Sequence, residues 1–291
     1  MDERIPAPRW DFWLRYSLLG ALCGAIAGQW LFVLVGLVLP HGFGHLHSIL
    51  FCAAYVPLLV IPSMLWLVWR RWQRVPSFRV RRRHSDLLWA LLGLSVFAAW
   101  PSVYYVVGLL VEGRPMTTFS TVLEDHIPFA PGATLIYLTV YWIAALPMFV
   151  LPDTVPRRRV ILAYAVTLAP CLVAFVVFPV TIGRPVPDPD AGIFAWALAV
   201  VHRADPPYNA FPSSHCAMSM MAGLLFFEVD RRLGWAGVLY ACTIGVTTLL
   251  TKQHYVIDVL AGIALAGAAY WLVICRTAPA RLRGSQTQRA G

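Results

Sequence analysis

YVIDVLAGIALAGAAYWLVI, Tyr255 to Ile274, is a run of twenty residues with a single charge, Asp258, near its start. In helical form twenty residues span about 30 Å, the thickness of a bilayer's hydrocarbon core. Lipid offers backbone groups no partners, so a run this long and this apolar predicts a membrane-spanning helix. Working outward, seven more such runs recur: Tyr16 to Leu39, Leu46 to Trp69, Leu87 to Val111, Gly132 to Leu151, Val160 to Val180, Ser213 to Val229 and Gly234 to Leu250, the last two being short. None alternates in the manner of a barrel strand. The expected fold is all-α, a polytopic integral membrane helix bundle of about eight transmembrane helices, with one membrane domain over residues 1–291.

Composition agrees. The chain is 59% hydrophobic and 13% charged, with a mean hydropathy of +0.68, whereas a soluble domain carries roughly 25% charged residues. The net charge of +9 does not point to nucleic acid, because the basic residues sit in short loops between apolar runs. With the N-terminus in the cytoplasm, 19 of the 23 Lys and Arg residues fall on that side, leaving Arg114, Arg184, Arg203 and Lys252 on the other. That asymmetry follows the positive-inside rule and predicts both termini cytoplasmic. The Arg70 to His84 loop reads as topology signal and contact with anionic headgroups. The basic tail, 276–291, reads as disordered. The six cysteines show no paired spacing, so neither disulfides nor a zinc site is expected. Lys252 is the one lysine among the 23 basic residues, a bias that suggests a GC-rich genome and a bacterial inner membrane.

Ionisable residues within spans are costly and start as candidates for function. Asp258 is the only acid several residues inside an apolar run. His254 lies four positions earlier, on the same helix face. A carboxylate there holds one imidazole nitrogen and leaves the other for a substrate; alternatively Asp258 satisfies buried polar groups between helices. Phe211-Pro212-Ser213-Ser214-His215 opens the sixth run, where first-turn N–H groups and the helix dipole favour an anion. A serine there also serves as an ordinary helix cap. Gly183-Arg184-Pro185 follows the fifth run, and a guanidinium suits phosphate. The charge-derived topology puts Arg184, His215 and His254 on one side of the membrane. A metal centre built from His215, His254 and Asp258 has suitable ligand types but no dedicated motif. A transporter would also place His and Asp in spans, together with paired interrupted helices that the sequence lacks.

Arg184-Pro185, Pro212-Ser213-Ser214-His215 and His254-Tyr255-Val256-Ile257-Asp258 together resemble the type 2 phosphatidic acid phosphatase superfamily, whose pattern is Lys-x6-Arg-Pro, Pro-Ser-Gly-His and Ser-Arg-x5-His-x3-Asp. The resemblance covers about residues 160–275, the expected catalytic core. The family's lysine falls at Val177, its glycine at Ser214, and its Ser-Arg at Thr247 and Thr248. Two phosphate-binding cations are thus missing. With the His-Tyr-x-x-Asp form, this is similar to the branch containing inositol phosphorylceramide synthase and sphingomyelin synthase. A diester carries one negative charge against a monoester's two and needs fewer cations, which favours a diester donor. Arg203, Lys252 and Arg114 are candidate substitutes.

The resemblance implies a catalytic trio of His254 as nucleophile, Asp258 holding its tautomer and His215 as acid and then base, with Arg184, Ser213 and Ser214 binding phosphate. It requires no metal and no cofactor. The expected activity is transfer of a phosphorylated headgroup from a phospholipid to a lipid alcohol through a phosphohistidine, the partners being membrane lipid substrates. The alternatives are a lipid phosphate or polyprenyl diphosphate phosphatase using water, or a transporter. The site is expected on the extracytoplasmic side.

Other residues carry less. His41, His45 and His47 read as solvated or interfacial, Trp69, Tyr104 and Trp271 as an aromatic belt, and Met218, Met220 and Met221 as packing. Residues 193–202 read as an interfacial helix. Asp125, His126, Asp188, Asp190, Tyr208 and Asn209 are unranked candidates for headgroup recognition.

Overall fold

The computed structural model describes residues 103–276, except positions 105, 109, 152–154 and 206. The first two expected spans, most of the third, the loop at 70–84, the histidines at 41–47 and the tail after Arg276 lie outside the described residues. Among the described residues the fold is helical and contains no strand. A helical segment at 103–111 is followed by α1 (Val122–Asp125), α2 (Thr134–Tyr137), α3 (Val140–Ala145), α4 (Pro147–Val150), α5 (Arg157–Val177), α6 (Ile193–Ala204), α7 (Ser214–Leu225), α8 (Arg231–Leu250) and α9 (Val256–Tyr270), which a π turn extends over Trp271–Cys275.

Among the described residues three helices are long and apolar enough to cross a membrane: Arg157–Val177, Arg231–Leu250 and Val256–Cys275. The expected span Gly132 to Leu151 is instead a jointed rod of α2, α3 and α4. The joints have local causes. The Thr139 hydroxyl donates to the Ile136 carbonyl at 2.6 Å, competing with the backbone ladder. Pro147 has no N–H to continue the helix from α3.

α7 is only 12 residues long, yet every residue in it except Leu224 is buried. A helix apolar on all sides belongs at the centre of a bundle, and α7 packs against α5, α8 and α9. Small residues set how closely. A Cβ on Gly223 would lie 2.7 Å from the Gly237 carbonyl carbon, so α7 and α8 cross backbone against backbone. A Cβ on Gly262 would meet the Ser213 carbonyl oxygen at 2.4 Å, so the start of α7 lies flush on α9. The expected packing methionines Met218 and Met221 join Tyr164, Ala266 and Ala269 in the main core.

The two ends of the bundle differ. At the far end, Asp230 caps α8 by accepting from the Arg232 N–H at 2.8 Å, a bond worth about 1 kcal/mol. There too Tyr270 donates to Glu228 at 2.7 Å. At the opposite end three loop segments join through isolated parallel bridges, Thr117 to Val180 and Val180 to Asn209. Phe119, Val180, Ile182, Ala210, Phe211 and Tyr255 fill the space beneath them. This loop layer sits where α5 ends and α7 and α9 begin, and it carries the candidate site. The expected interfacial helix appears as α6, with Phe194 and Leu198 buried and Trp196 and Val200 exposed.

Candidate functional site

Ser213 is the N-cap of α7, its hydroxyl accepting from the Cys216 N–H at 3.3 Å. Its own N–H donates to the Asp258 carbonyl at 3.0 Å. With the room left by Gly262, that bond locks the Pro-Ser-Ser-His turn onto the first turn of α9. His215 and His254, 39 residues apart in sequence, meet as a result: His215 Nδ1 lies 3.3 Å from His254 Nε2. Both rings are buried.

His254 Nδ1 donates to the Ala210 carbonyl at 2.9 Å and lies 3.5 Å from Asp258 Oδ2. The carbonyl, supplied by the loop layer, is thus the nearer partner. Asp258 Oδ2 accepts from the Tyr255 N–H at 2.8 Å, closing the first turn of α9, and Oδ1 has no partner. Asp258 therefore both caps its helix and places negative charge beside the His254 ring. A carbonyl oxygen only accepts, so Nδ1 carries the proton and the lone pair of His254 is on Nε2, facing His215. On the other side of His215, the Tyr137 hydroxyl lies 3.0 Å from Nε2.

Arg184 projects from the loop after α5 and pairs with Asp205, its Nη2 at 3.2 Å from Oδ2 and its Nη1 donating to the Asp205 carbonyl at 2.6 Å. Arg184 Nε is buried without a partner, as is Asp205 Oδ1. Both charges reach His215 electrostatically. His202, on α6, accompanies them, with Nε2 at 3.1 Å from the Thr251 carbonyl. Burial and then the Arg184 charge hold its pKa below the usual histidine value. Of the two serines expected at phosphate, Ser213 is spent on its cap, while the buried Ser214 hydroxyl has no partner. The neighbour of His254, Gln253, is 1% exposed and both its amide atoms lack partners.

Two of the three candidate substitute cations, Arg114 and Lys252, are committed elsewhere. Arg114 donates to the Val176 carbonyl at 2.7 Å, at the C-terminal end of α5, where a cation also suits the helix dipole. Lys252 donates to the carbonyls of Glu124 and Ile127 at 3.0 and 2.6 Å. The side chain of Arg203 lies outside the described residues. Thr247 and Thr248, at the family's Ser-Arg positions, donate to the carbonyls of Ile244 and Gly245 within α8. Val177 is 72% exposed.

The headgroup candidates are scattered. Asp188 caps a turn by accepting from the Asp190 N–H, and His126 Nδ1 faces the Val122 carbonyl on the surface. Tyr208 donates to Glu112 at 3.3 Å. Asn209 is buried, donates to the Tyr104 carbonyl at 2.9 Å and keeps Oδ1 without a partner. Among the described residues no three His, Cys, Asp or Glu side chains converge to hold a metal. Sequence reasoning missed Tyr137, Asp205, Gln253 and the Ala210 carbonyl. Of these only Gln253, a polar residue between Lys252 and His254, carried a signal in its position.

A profile of the PAP2 superfamily matches residues 114–272, more than half of the chain, and the chain belongs to that superfamily. A curated relative, the bacitracin transport permease protein BcrC of Bacillus licheniformis, is 35% identical over 71 residues, which make up 24% of this chain and 34% of the relative. The chain thus matches about a third of that relative's length. No solved structure matches. Membership in the superfamily suggests a lipid phosphatase or phosphotransferase activity. Together with three helices apolar enough to span a bilayer, it marks an integral membrane protein.

Proposed function

We propose that this protein moves a phosphorylated headgroup from a phospholipid donor to a lipid alcohol through a phosphohistidine on His254. The observation that carries the chemistry is the pair of nitrogens, His254 Nε2 and His215 Nδ1, 3.3 Å apart in a buried setting. His254 holds its proton on Nδ1 against the Ala210 carbonyl, so the Nε2 lone pair attacks phosphorus. The phosphorus–oxygen bond to the donor's lipid alcohol breaks and its electron pair stays on that oxygen, which takes the Nδ1 proton of a protonated His215. Asp258 stabilises the charged phosphohistidine ring. In the second half the acceptor hydroxyl gives its proton to His215 Nδ1 and its oxygen displaces His254, whose Nε2 recovers its lone pair. One ester and one alcohol yield a new ester and a new alcohol.

In-line displacement sets the leaving oxygen opposite the attacking nitrogen. With attack near 3 Å and a hydrogen bond to the leaving oxygen, the two nitrogens must stand about 6 to 7 Å apart in the reacting complex. The two nitrogens stand 3.3 Å apart, so the reaction requires the rings to move apart by about 3 Å as the phosphate enters.

The choice of a diester donor rests on charge. Among the described side chains Arg184 is the cation whose charge reaches His215, and Asp205 already neutralises it. Such a site is poor at holding a monoester dianion and adequate for a single negative charge. This supports the branch resembling inositol phosphorylceramide synthase and sphingomyelin synthase over a lipid phosphate or polyprenyl diphosphate phosphatase. The charge asymmetry of the loops supports both termini cytoplasmic and the site on the extracytoplasmic side, the apolar runs support about eight spans, and the arginine-over-lysine bias supports a bacterial inner membrane.

The test is a panel of donors with purified protein: phosphatidic acid, a polyprenyl diphosphate, phosphatidylinositol and phosphatidylcholine, each with and without diacylglycerol or ceramide. A new phospholipid that forms only with acceptor is the expected result. Free phosphate released without acceptor would make the protein a phosphatase. Silence throughout, shared by His254→Ala, would favour transport, the role printed in the name of the Bacillus relative.

A further inference from the structure

We infer that Tyr137 is a positioning residue for His215, setting which of its ring nitrogens carries a proton through each half of the reaction; this rests on the transferase reading above. Tyr137 comes from α2, in the jointed rod, and is 2% exposed. Its ring packs 5.0 Å from that of His215, tilted by 53°, and its hydroxyl lies 3.0 Å from His215 Nε2.

The proton positions follow from one end of the chain. The Ala210 carbonyl accepts, so His254 Nδ1 donates and, in a neutral ring, Nε2 accepts. His215 Nδ1, 3.3 Å away, must then be the donor. A neutral His215 with its proton on Nδ1 has a lone pair on Nε2, and Tyr137 must donate to it. In this arrangement the protons of the three contacts from the Ala210 carbonyl to Tyr137 are thereby placed.

Catalysis requires the opposite arrangement at Nε2. To protonate a leaving alkoxide and remain neutral afterwards, His215 must first take up a proton from solvent as the substrate enters, so that both nitrogens carry one, and then give up the one on Nδ1. The proton on Nε2 then needs an acceptor, and the Tyr137 hydroxyl stands within hydrogen-bond distance of it. A hydroxyl meets both demands, because it donates to a neutral His215 and turns to accept from a protonated one. A carboxylate or carbonyl in its place would only accept. It would hold the proton on Nε2 and leave two lone pairs facing each other between a neutral His215 and His254, 3.3 Å apart.

Three measurements test this on the full-length protein, using whichever donor and acceptor the lipid panel identifies. In Tyr137→Phe, kcat should fall about 10- to 100-fold with KM within about two-fold. Site-specific replacement of Tyr137 by 3-fluorotyrosine keeps shape and packing while weakening the hydroxyl as an acceptor, and should lower kcat about three-fold at constant KM. With ring-15N histidine in the substrate-free protein, and His215 assigned from His215→Gln, the Nε2 resonance should move toward that of an unbonded lone pair in Tyr137→Phe. A kcat within two-fold of wild type in Tyr137→Phe, or an unmoved Nε2 resonance, overturns the inference. Should the phenylalanine variant fail to fold, unchanged kcat in the fluorotyrosine protein overturns it equally. Wild-type turnover by His254→Ala would instead sink the transferase reading, and the 15N measurement still decides whether Tyr137 holds His215.

Discussion

The two ends of the bundle treat polar groups differently. At the far end, Asp230 caps α8, Tyr270 donates to Glu228, and Arg157 donates to the Leu151 carbonyl at 2.8 Å. At the site end, Arg184 Nε, Asp205 Oδ1, Asn209 Oδ1, Ser214 Oγ, Asp258 Oδ1 and both amide atoms of Gln253 are buried without partners. Each such atom costs about 1 to 3 kcal/mol. Arg184 Nε, Ser214 Oγ and Gln253 Nε2 can each donate to a phosphate oxygen, whereas the carboxylate and amide oxygens can only accept, from a hydroxyl for instance. The contrast thus marks one end as structural and the other as the polar, reactive end.

The largest test of this contrast removes the reacting groups. His254→Ala should bring turnover below about one-thousandth of wild type, and Asp258→Asn should lower it by orders of magnitude, with both variants still inserted in the membrane. Measured turnover on the lipid panel and membrane fractionation check both parts. Activity in the His254 variant would make the site end no more than an imperfectly packed copy of the far end.

A smaller change tests the electrostatics. Asp205→Asn keeps the shape beside Arg184 but removes the charge that neutralises it. The guanidinium is then free to meet a second negative charge. The ratio of kcat/KM for a phosphate monoester to that for a diester should rise about ten-fold. An unchanged ratio would separate the choice of donor from the Arg184–Asp205 pair.

What the sequence made legible follows the same division. Asp258, His254, His215, Ser213, Ser214 and Arg184 stand out in the sequence because each is an ionisable or polar group in or beside an apolar run. The structure brings His254, Asp258 and His215 into contact. What was hidden was partnership across the fold. Tyr137 lies 78 positions from His215, and among tyrosines near span ends nothing distinguishes it from an aromatic belt. The partner of His254 Nδ1 is a backbone carbonyl, which every residue has and no motif records. Asp205 reads as one loop acid among several until the fold sets it against Arg184. Helix boundaries behaved likewise: α5, α8 and α9 follow from uninterrupted apolar runs, whereas the joints between α2 and α4 depend on the Thr139 hydroxyl and on Pro147.

Gln253 offers a test in which stability and activity move in opposite directions. Gln253→Leu replaces two unpartnered polar atoms by an apolar group of similar size. Thermal unfolding in detergent should show a gain of about 1 to 2 kcal/mol. Turnover should fall about ten-fold if the amide meets the substrate. A variant that is both more stable and fully active would show that the orphaned amide is a packing defect without a role in binding.

The smallest effect is expected at the far end, where it serves as the control for all the others. Tyr270→Phe removes a hydroxyl that donates to Glu228 at 2.7 Å, and the loss should cost about 0.5 to 1.5 kcal/mol of stability. No atom of that pair belongs to the loop layer or to the start of α7 or α9, so kcat and KM should stay within two-fold of wild type. The comparison holds only if substitutions at this end lower stability and spare turnover while Gln253→Leu does the reverse. A large loss of turnover in Tyr270→Phe would mean that the far end governs the site through α9, the helix whose opposite end carries Asp258, and the division between a structural and a reactive end would fail.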